Sequence, residues 1–439
     1  MSTNISSQSE LQKLATERLE TIVSDPEIQQ LIGEWEVVWG PVVYQYDGEI
    51  IDSKVADSVM YMAKYQDSDE SDAYVIAIAG TNPKSWYGMI VQDLWVNQTK
   101  LWNKGKPWEA DFGDQASGMQ VSAGISRGLQ ILWEMQSQEK LLIDYLKELT
   151  SSATKPILVT ICGHSLGGSL SPSLALSLID QRSEWDAQSN TTVSVLPSAG
   201  FSPGNEEFAE YYEEQLCQVT DRIWNELDTV PHLYQQDMLE QIPTLYEPHI
   251  EPNSLINRLV NFLDFLSKGG NYQQLCSQTP GFNLGYNEAI DNRLEDLAIS
   301  ELSILVAKLI LRHLGYEAPP QWLINKVAKI IAPLIKRFIT SRQSDKTLSD
   351  DKINEAEIEQ YVEKIITEVQ TDKSELDRNK SKISLIQLLL NLPDFIKYLA
   401  QAFFQHLAPY IEYLEVSDFW TMFKEKLEIN PFGPLANPR

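Results

Sequence analysis

Ser165 stands in Gly163-His164-Ser165-Leu166-Gly167-Gly168, directly after the apolar, β-branched run Ile157 to Cys162 and before a helical stretch. A strand that turns sharply into a helix holds a serine in a strained conformation, relieves crowding with glycines and projects the hydroxyl past the sheet edge. The first N–H groups of that helix, Leu166 among them, then face developing negative charge. This is the chemistry of nucleophilic acyl transfer; the competing reading is a small-residue turn needed only for packing. An alcohol becomes a nucleophile once a base accepts its proton, and a carboxylate must fix the imidazole tautomer. Asp228 suits that carboxylate, in a loop past the strand-like run Val219 to Trp224 and before the helix-stopping Pro231, although any isolated aspartate can sit in an ordinary solvated turn. His164 is directed away from Ser165 by its place in the turn. His232, His249, His313 and His406 all follow Asp228, and physics alone does not choose among them.

These side chains need a framework. Runs at 35–46, 58–65, 73–80, 156–163, 192–200 and 222–231 are short, β-branched or aromatic, and end in turn formers. Helical stretches at 122–149 and 166–182 lie between them, and this alternation predicts an α/β fold with a mostly parallel sheet covered by helices on both faces. Leu11, Leu14, Leu19 and Ile22 predict an amphipathic helix before it. After about residue 250 the strand signal fades into Leu-, Ile-, Lys- and Glu-rich sequence. In its most distinctive piece, residues 321–339, Leu323, Ile324, Val327, Ile330, Ile331, Leu334, Ile335, Phe338 and Ile339 share one side of a helix, opposite Lys326, Lys329, Lys336 and Arg337. Two expectations compete for it: a peripheral lipid-interface contact, or a cap helix packed on the core, with Pro333 able to kink either.

Composition narrows the field. Among 439 residues, 43% are hydrophobic and 22% charged, and no run reaches the roughly 20 apolar residues of a membrane span. With 35 Lys+Arg against 62 Asp+Glu, the net charge of −27 argues against nucleic acid as a partner. Cys162, Cys217 and Cys276 are too few and too scattered for a disulfide framework or a CxxC metal site, so a reducing compartment is expected. The first twenty residues lack a basic start followed by an apolar core, which points to the cytoplasm, with leaderless export as the alternative.

Taken together, these residues resemble the class 3 lipase family, an α/β-hydrolase family of fungal triacylglycerol lipases, plant phospholipase A1 enzymes and bacterial esterases. The segment 163–168 resembles its nucleophile elbow, and Ala79-Gly80-Thr81 its oxyanion turn. Phe201 to Asn205 with Phe208 is similar to its post-elbow turn, and Asn225, Asp228, Val230 and Pro231 to the segment carrying its catalytic acid. Gln405-His406-Leu407-Ala408-Pro409-Tyr410 is similar to the late segment carrying its base, which favours His406 over His249. Two positions depart from the pattern: Ala79 where arginine is frequent, and Ser122-Ala123-Gly124-Ile125 where His-x-Gly-Phe is usual. Both bear on the lid more than on the chemistry.

The resemblance implies two-step ester hydrolysis by Ser165, His406 and Asp228, with the N–H groups of Thr81 and Leu166 holding the oxyanion and no metal or organic cofactor. Lipid esters are the expected substrate, with a soluble short-chain esterase or a noncatalytic scaffold as alternatives. Trp86, Tyr87 and Trp95, within an aromatic cluster at residues 84–108, are expected to form an acyl-chain groove or lid; an ordinary buried helix is the competing reading. The implied organisation is a helical segment at 1–35, a hydrolase core at 36–250, a helical insertion or cap at 251–394 and a returning core segment at 395–439.

Overall fold

A computed structural model describes residues 7–47, 55–66, 70–82, 93, 95–110, 117–292, 299–316, 319–341, 355–369 and 375–429. Ahead of the sheet, α1 (Gln8–Val23) is closed by a capping box between Ser7 and Glu10, and Asp25 caps α2 (Pro26–Ile32). The central sheet holds β1 (Trp35–Tyr44), β2 (Ser58–Tyr65), β3 (Asp72–Ile78), β8 (Ile157–His164) and β9 (Thr191–Ser198), paired in that order. The first two pairings are antiparallel and the last two parallel, so the sheet is mixed rather than mostly parallel. Connection length explains this. Residues 66–71 are too few for the crossover that a parallel β2–β3 pair would need, whereas helices separate β3, β8 and β9. The free edge of β1 is capped by side chains: Gln8 Nε2 donates to Val43 O at 2.9 Å, and Val43 N donates to Gln12 Oε1 at 2.8 Å.

A second sheet of β4 (Thr99–Leu101), β5 (Gln120–Ser122), β10 (Gly204–Asn205) and β11 (Tyr272–Gln273) flanks the first. The helical reading of 122–149 divides into α3 (Ala123–Glu134) and α4 (Leu142–Ser152) around a hairpin of β6 (Gln136–Ser137) and β7 (Lys140–Leu141). Its turn places Gln138 and Glu139 at φ of 50° and 64°, which breaks the helix. In place of a sixth strand at Val219 to Trp224, two parallel bridges hold that segment beside β9. Met60, Met62, Ile76, Ile157 and Ile161 are fully buried between the layers.

Two expectations change here. Cys217 and Cys276 are disulfide-bonded, with Cα atoms 5.6 Å apart across a 59-residue separation, so they are not the reduced thiols anticipated. Cys162 remains free, its thiol pushed up to about 11 by burial. The boundary at residue 251 does not mark a break, because β11 pairs with β10 and Phe282 bridges Asn225 within the hydrolase body.

Beyond α5 (Leu166–Asp180), α6 (Arg182–Trp185), α7 (Glu206–Leu216) and α8 (Gln236–Leu239), the chain is mainly helical. It runs through α9 (Ser254–Ser267), α10 (Ile299–His313), α11 (Gln321–Ser341), α12 (Glu355–Val369) and α13 (Glu375–Leu390). The two-faced helix α11 packs between α10 and α12, with Leu323, Val327, Ile331, Leu334 and Ile335 buried. Lys326 pairs with Glu368 at 2.5 Å and Arg337 with Glu357, so two of the four basic residues on the opposite, exposed face meet acidic neighbours. The apolar face of α11 lies inside the helical layer, the arrangement that the cap-helix reading requires. Pro333 is accommodated within the helix. The chain returns through α14 (Leu392–Gln405) and α15 (Ala408–Tyr413), and α16 (Ser417–Lys426) packs on α2, where Lys426 meets Asp25 and Glu27 at 2.8 and 2.7 Å.

Candidate active site

Ser165 occupies the single residue between β8 and α5, with φ 61° and ψ −123°. For a non-glycine residue this is a sparsely populated conformation, held because the surrounding packing leaves no alternative. A Cβ on Gly163 would meet the Gly167 carbonyl oxygen at 2.4 Å, so the two arms of the turn close only with glycine. Gly80 approaches the serine itself: a Cβ there would stand 2.6 Å from His164 O and 3.2 Å from Ser165 Cβ. The Gly80-Thr81 turn after β3 thereby lies against the elbow, and Leu166, buried, opens α5.

Thr81 Oγ1 donates to both carboxylate oxygens of Asp93, at 3.0 and 2.9 Å, and Tyr234 Oη donates to the Asp93 main-chain oxygen at 2.6 Å. Desolvation pushes the Asp93 carboxyl up to about 7, against the opposing influences of the Thr81 hydroxyl and of His406. Sequence reasoning missed Asp93, whose only signal was a carboxylate twelve residues past the oxyanion turn within an aromatic run.

Asp228 is wholly buried. Its Oδ1 accepts from Val230 N at 2.9 Å, while Oδ2 accepts from Tyr410 Oη at 2.7 Å and lies 2.8 Å from His406 Nδ1. His406 caps the C-terminus of α14, and a second set of bonds locks its position. Asn225 Nδ2 donates to Gln405 O and Gln405 Oε1 at 3.0 and 2.8 Å, and Asn225 N donates to Tyr410 Oη at 3.0 Å. The acid loop and the late helical segment thus clamp each other through buried polar groups that leave little slack. With Nδ1 facing a carboxylate, the proton resides there and Nε2 is the basic nitrogen.

The remaining histidines are elsewhere. His164 packs against the His406 ring, centroids 4.8 Å apart, and burial together with the neighbouring His406 pushes it down to about 3, so it is uncharged at neutral pH. His232 Nδ1 is 2.7 Å from the Asp228 main-chain oxygen, not its carboxylate, and burial lowers its pKa. His249 stacks on Tyr286 at 4.2 Å, and His313 Nε2 lies 2.6 Å from Ser384 Oγ in the helical layer. Among the described residues, His406 is the one imidazole on the Asp228 carboxylate.

Trp86 and Tyr87 lie outside the described residues. Trp95 is half-buried, its Nε1 donating to Gln98 Oε1 at 3.2 Å. Ser122, at the departure from His-x-Gly-Phe, caps α3 by accepting from Ile125 N at 3.1 Å. A cavity of about 690 Å³ lies between α1, β1 and the β6–β7 turn, lined by polar Gln8, Gln12 and Gln136 and by none of the residues gathered around Ser165. No group of three or more His, Cys, Asp or Glu suited to a metal occurs among the described residues.

Residues 75–238 match the family model described as Lipase (class 3). The crystal structure of M37 lipase is 27% identical with a TM-score of 0.53, over 65% of this chain and 81% of that one. Lipase II from Rhizopus niveus is 16% identical with a TM-score of 0.31, over 53% of this chain and 77% of that one. No curated protein sequence matches. Residues 75–238 are thus similar in sequence to the class 3 lipases, and the chain has their α/β-hydrolase fold.

Proposed function

We propose that the chain is a serine hydrolase of lipid carboxylic esters, working through an acyl-enzyme. The class 3 lipase match and the likeness to M37 lipase support the carboxylic ester hydrolase class. The observation that carries the mechanism is the pairing of His406 with buried Asp228 at 2.8 Å in a chain that also strains Ser165 at a strand-to-helix turn. Ser165 Oγ attacks the ester carbonyl while His406 Nε2 takes its proton, and Asp228 stabilises the imidazolium that forms. The carbonyl oxygen becomes an oxyanion, held by the N–H groups of Thr81 and Leu166, each donor contributing about 3 kcal/mol to the transition state. Collapse breaks the ester bond, and His406 returns the proton to the departing alcohol. Water, deprotonated by the same imidazole, then releases the carboxylic acid and restores Ser165.

Asp93 positions the Thr81 hydroxyl rather than touching substrate. Its carboxyl holds its proton far more tightly in the folded chain than at the ordinary 3.8, so the native state binds more protons than the unfolded one between those values. The sign follows directly: stability contributed at Asp93 falls as pH rises from about 3.8 to about 7. In urea titrations, the wild-type midpoint should therefore decline across that range relative to Asp93→Asn; parallel profiles would refute this environment for Asp93.

Substrate class is tested with esters of two to eighteen carbons and with triacylglycerol and phospholipid emulsions. Hydrolysis of long acyl chains and emulsions supports a lipase. Activity confined to the shortest esters would replace it with a soluble esterase, and none on any ester would end the enzymatic reading.

A further inference from the structure

Arg222 begins the segment that delivers Asn225 and Asp228, and it is 9% exposed. Its guanidinium stacks on Trp224, 4.9 Å from the ring, yet among the described residues its Nη2 has no hydrogen-bond partner and no carboxylate pairs with it. An uncompensated buried cation is costly, so the structure must supply an opposite charge or keep the group wet. Arg222 lines a cavity of about 20 Å³ beside the start of α5, with Phe201, Leu275, Pro172 and Pro197 in its walls. The other polar wall groups already have partners. Ser169 Oγ donates to Phe201 O at 2.9 Å, and Gln274 Nε2 donates to Gly200 O and Pro231 O at 2.9 and 2.8 Å. Arg222 is thus the lining residue with a donor, Nη2, left without a partner among the described residues.

We propose that this cavity is a binding site for one small monovalent anion, a halide, held by Arg222. The volume fits an occupant about the size of a water, since it exceeds the roughly 10–15 Å³ that one such particle needs, and a halide is the monovalent anion nearest that size. Charge decides between the two remaining occupants, because water satisfies a donor without neutralising the cation. The overall charge of −27 does not forbid an anion here, since distant surface charges are screened within about 8 Å at physiological ionic strength. A bound halide ties the acid-bearing segment to the nucleophile helix. Ile223 N and Ala199 N already bind that segment to β9, donating to Pro197 O and Ile223 O at 3.0 Å each, and the anion adds an attachment on the α5 side.

The test uses the full chain. In crystals grown with bromide, anomalous diffraction should place one bromide beside the Arg222 guanidinium. In solution, sodium chloride should raise the wild-type Tm saturably by about 2 °C more than it raises that of Arg222→Gln. An anomalous map empty at Arg222, with an ordinary water in the cavity, would overturn the proposal, and so would equal chloride responses in the two proteins. The crystallographic measurement needs no variant and decides the matter if Arg222→Gln does not fold.

Discussion

Replacing His406 with alanine is expected to lower kcat by about 10⁶-fold while leaving the protein folded, because a serine hydrolase without its base retains only its oxyanion donors and substrate binding. The reason for choosing this histidine is geometric. His406 faces the Asp228 carboxylate at 2.8 Å, whereas His249 stacks on Tyr286 and His232 contacts only the Asp228 main chain. His249→Ala should therefore keep kcat within about twofold, the range expected for a group outside the reacting set. Steady-state hydrolysis of a soluble chromogenic ester by both variants measures the contrast. Equal losses in the two would remove His406 from its role.

Asp228→Asn is expected to cost about 10⁴-fold in kcat with the geometry nearly intact. The amide oxygen can still accept from Val230 N, but an NH₂ group placed toward His406 Nδ1 favours the imidazole tautomer that carries its proton on Nε2. That nitrogen can then no longer accept the serine proton. The Tyr410 hydroxyl, which donates to the same carboxylate oxygen, loses its charged acceptor as well. Measuring kcat for the wild type and Asp228→Asn, with circular dichroism to confirm folding, checks the tautomer argument. A loss under tenfold would show that Asp228 does not orient the base.

The elbow was legible in the sequence because it is local: an apolar run, a serine and three glycines within twelve residues specify strand, turn and helix together. Asp228 was legible for a similar reason, its loop being bounded by Pro231. His406 emerged only from a resemblance, since nothing local says which histidine a distant carboxylate will meet. Of the partners that secure the site, Gln405 and Tyr410 stood only as members of that late segment, with no role attached, and Asp93 was not legible at all. Tyr410, Gln405 and Asp93 reach it across 182, 180 and 12 residues, through the bonds to Asp228, Asn225 and Thr81. Likewise, Cys217 and Cys276 become neighbours only once β11 lies beside β10. The two-faced pattern of α11 was read correctly as a helix. Its periodicity could not say whether lipid or protein covers the apolar face, and the neighbouring helices α10 and α12 decide for protein.

These features make the site a polar clamp between two distant segments. The Asn225–Gln405 bonds and the Tyr410–Asp228 bond join the loop after residue 224 to the chain after residue 404. The strain at Ser165 is supported from the other side by Gly80 and Gly163, where any Cβ would collide with backbone.

The central claim is that Ser165 is the nucleophile, and covalent labelling with a fluorophosphonate probe tests it most directly. Peptide mass spectrometry should find one adduct per chain, on Ser165, absent from Ser165→Ala and strongly slowed in His406→Ala. An unlabelled but folded wild-type chain, or an adduct on a different serine, would contradict the account.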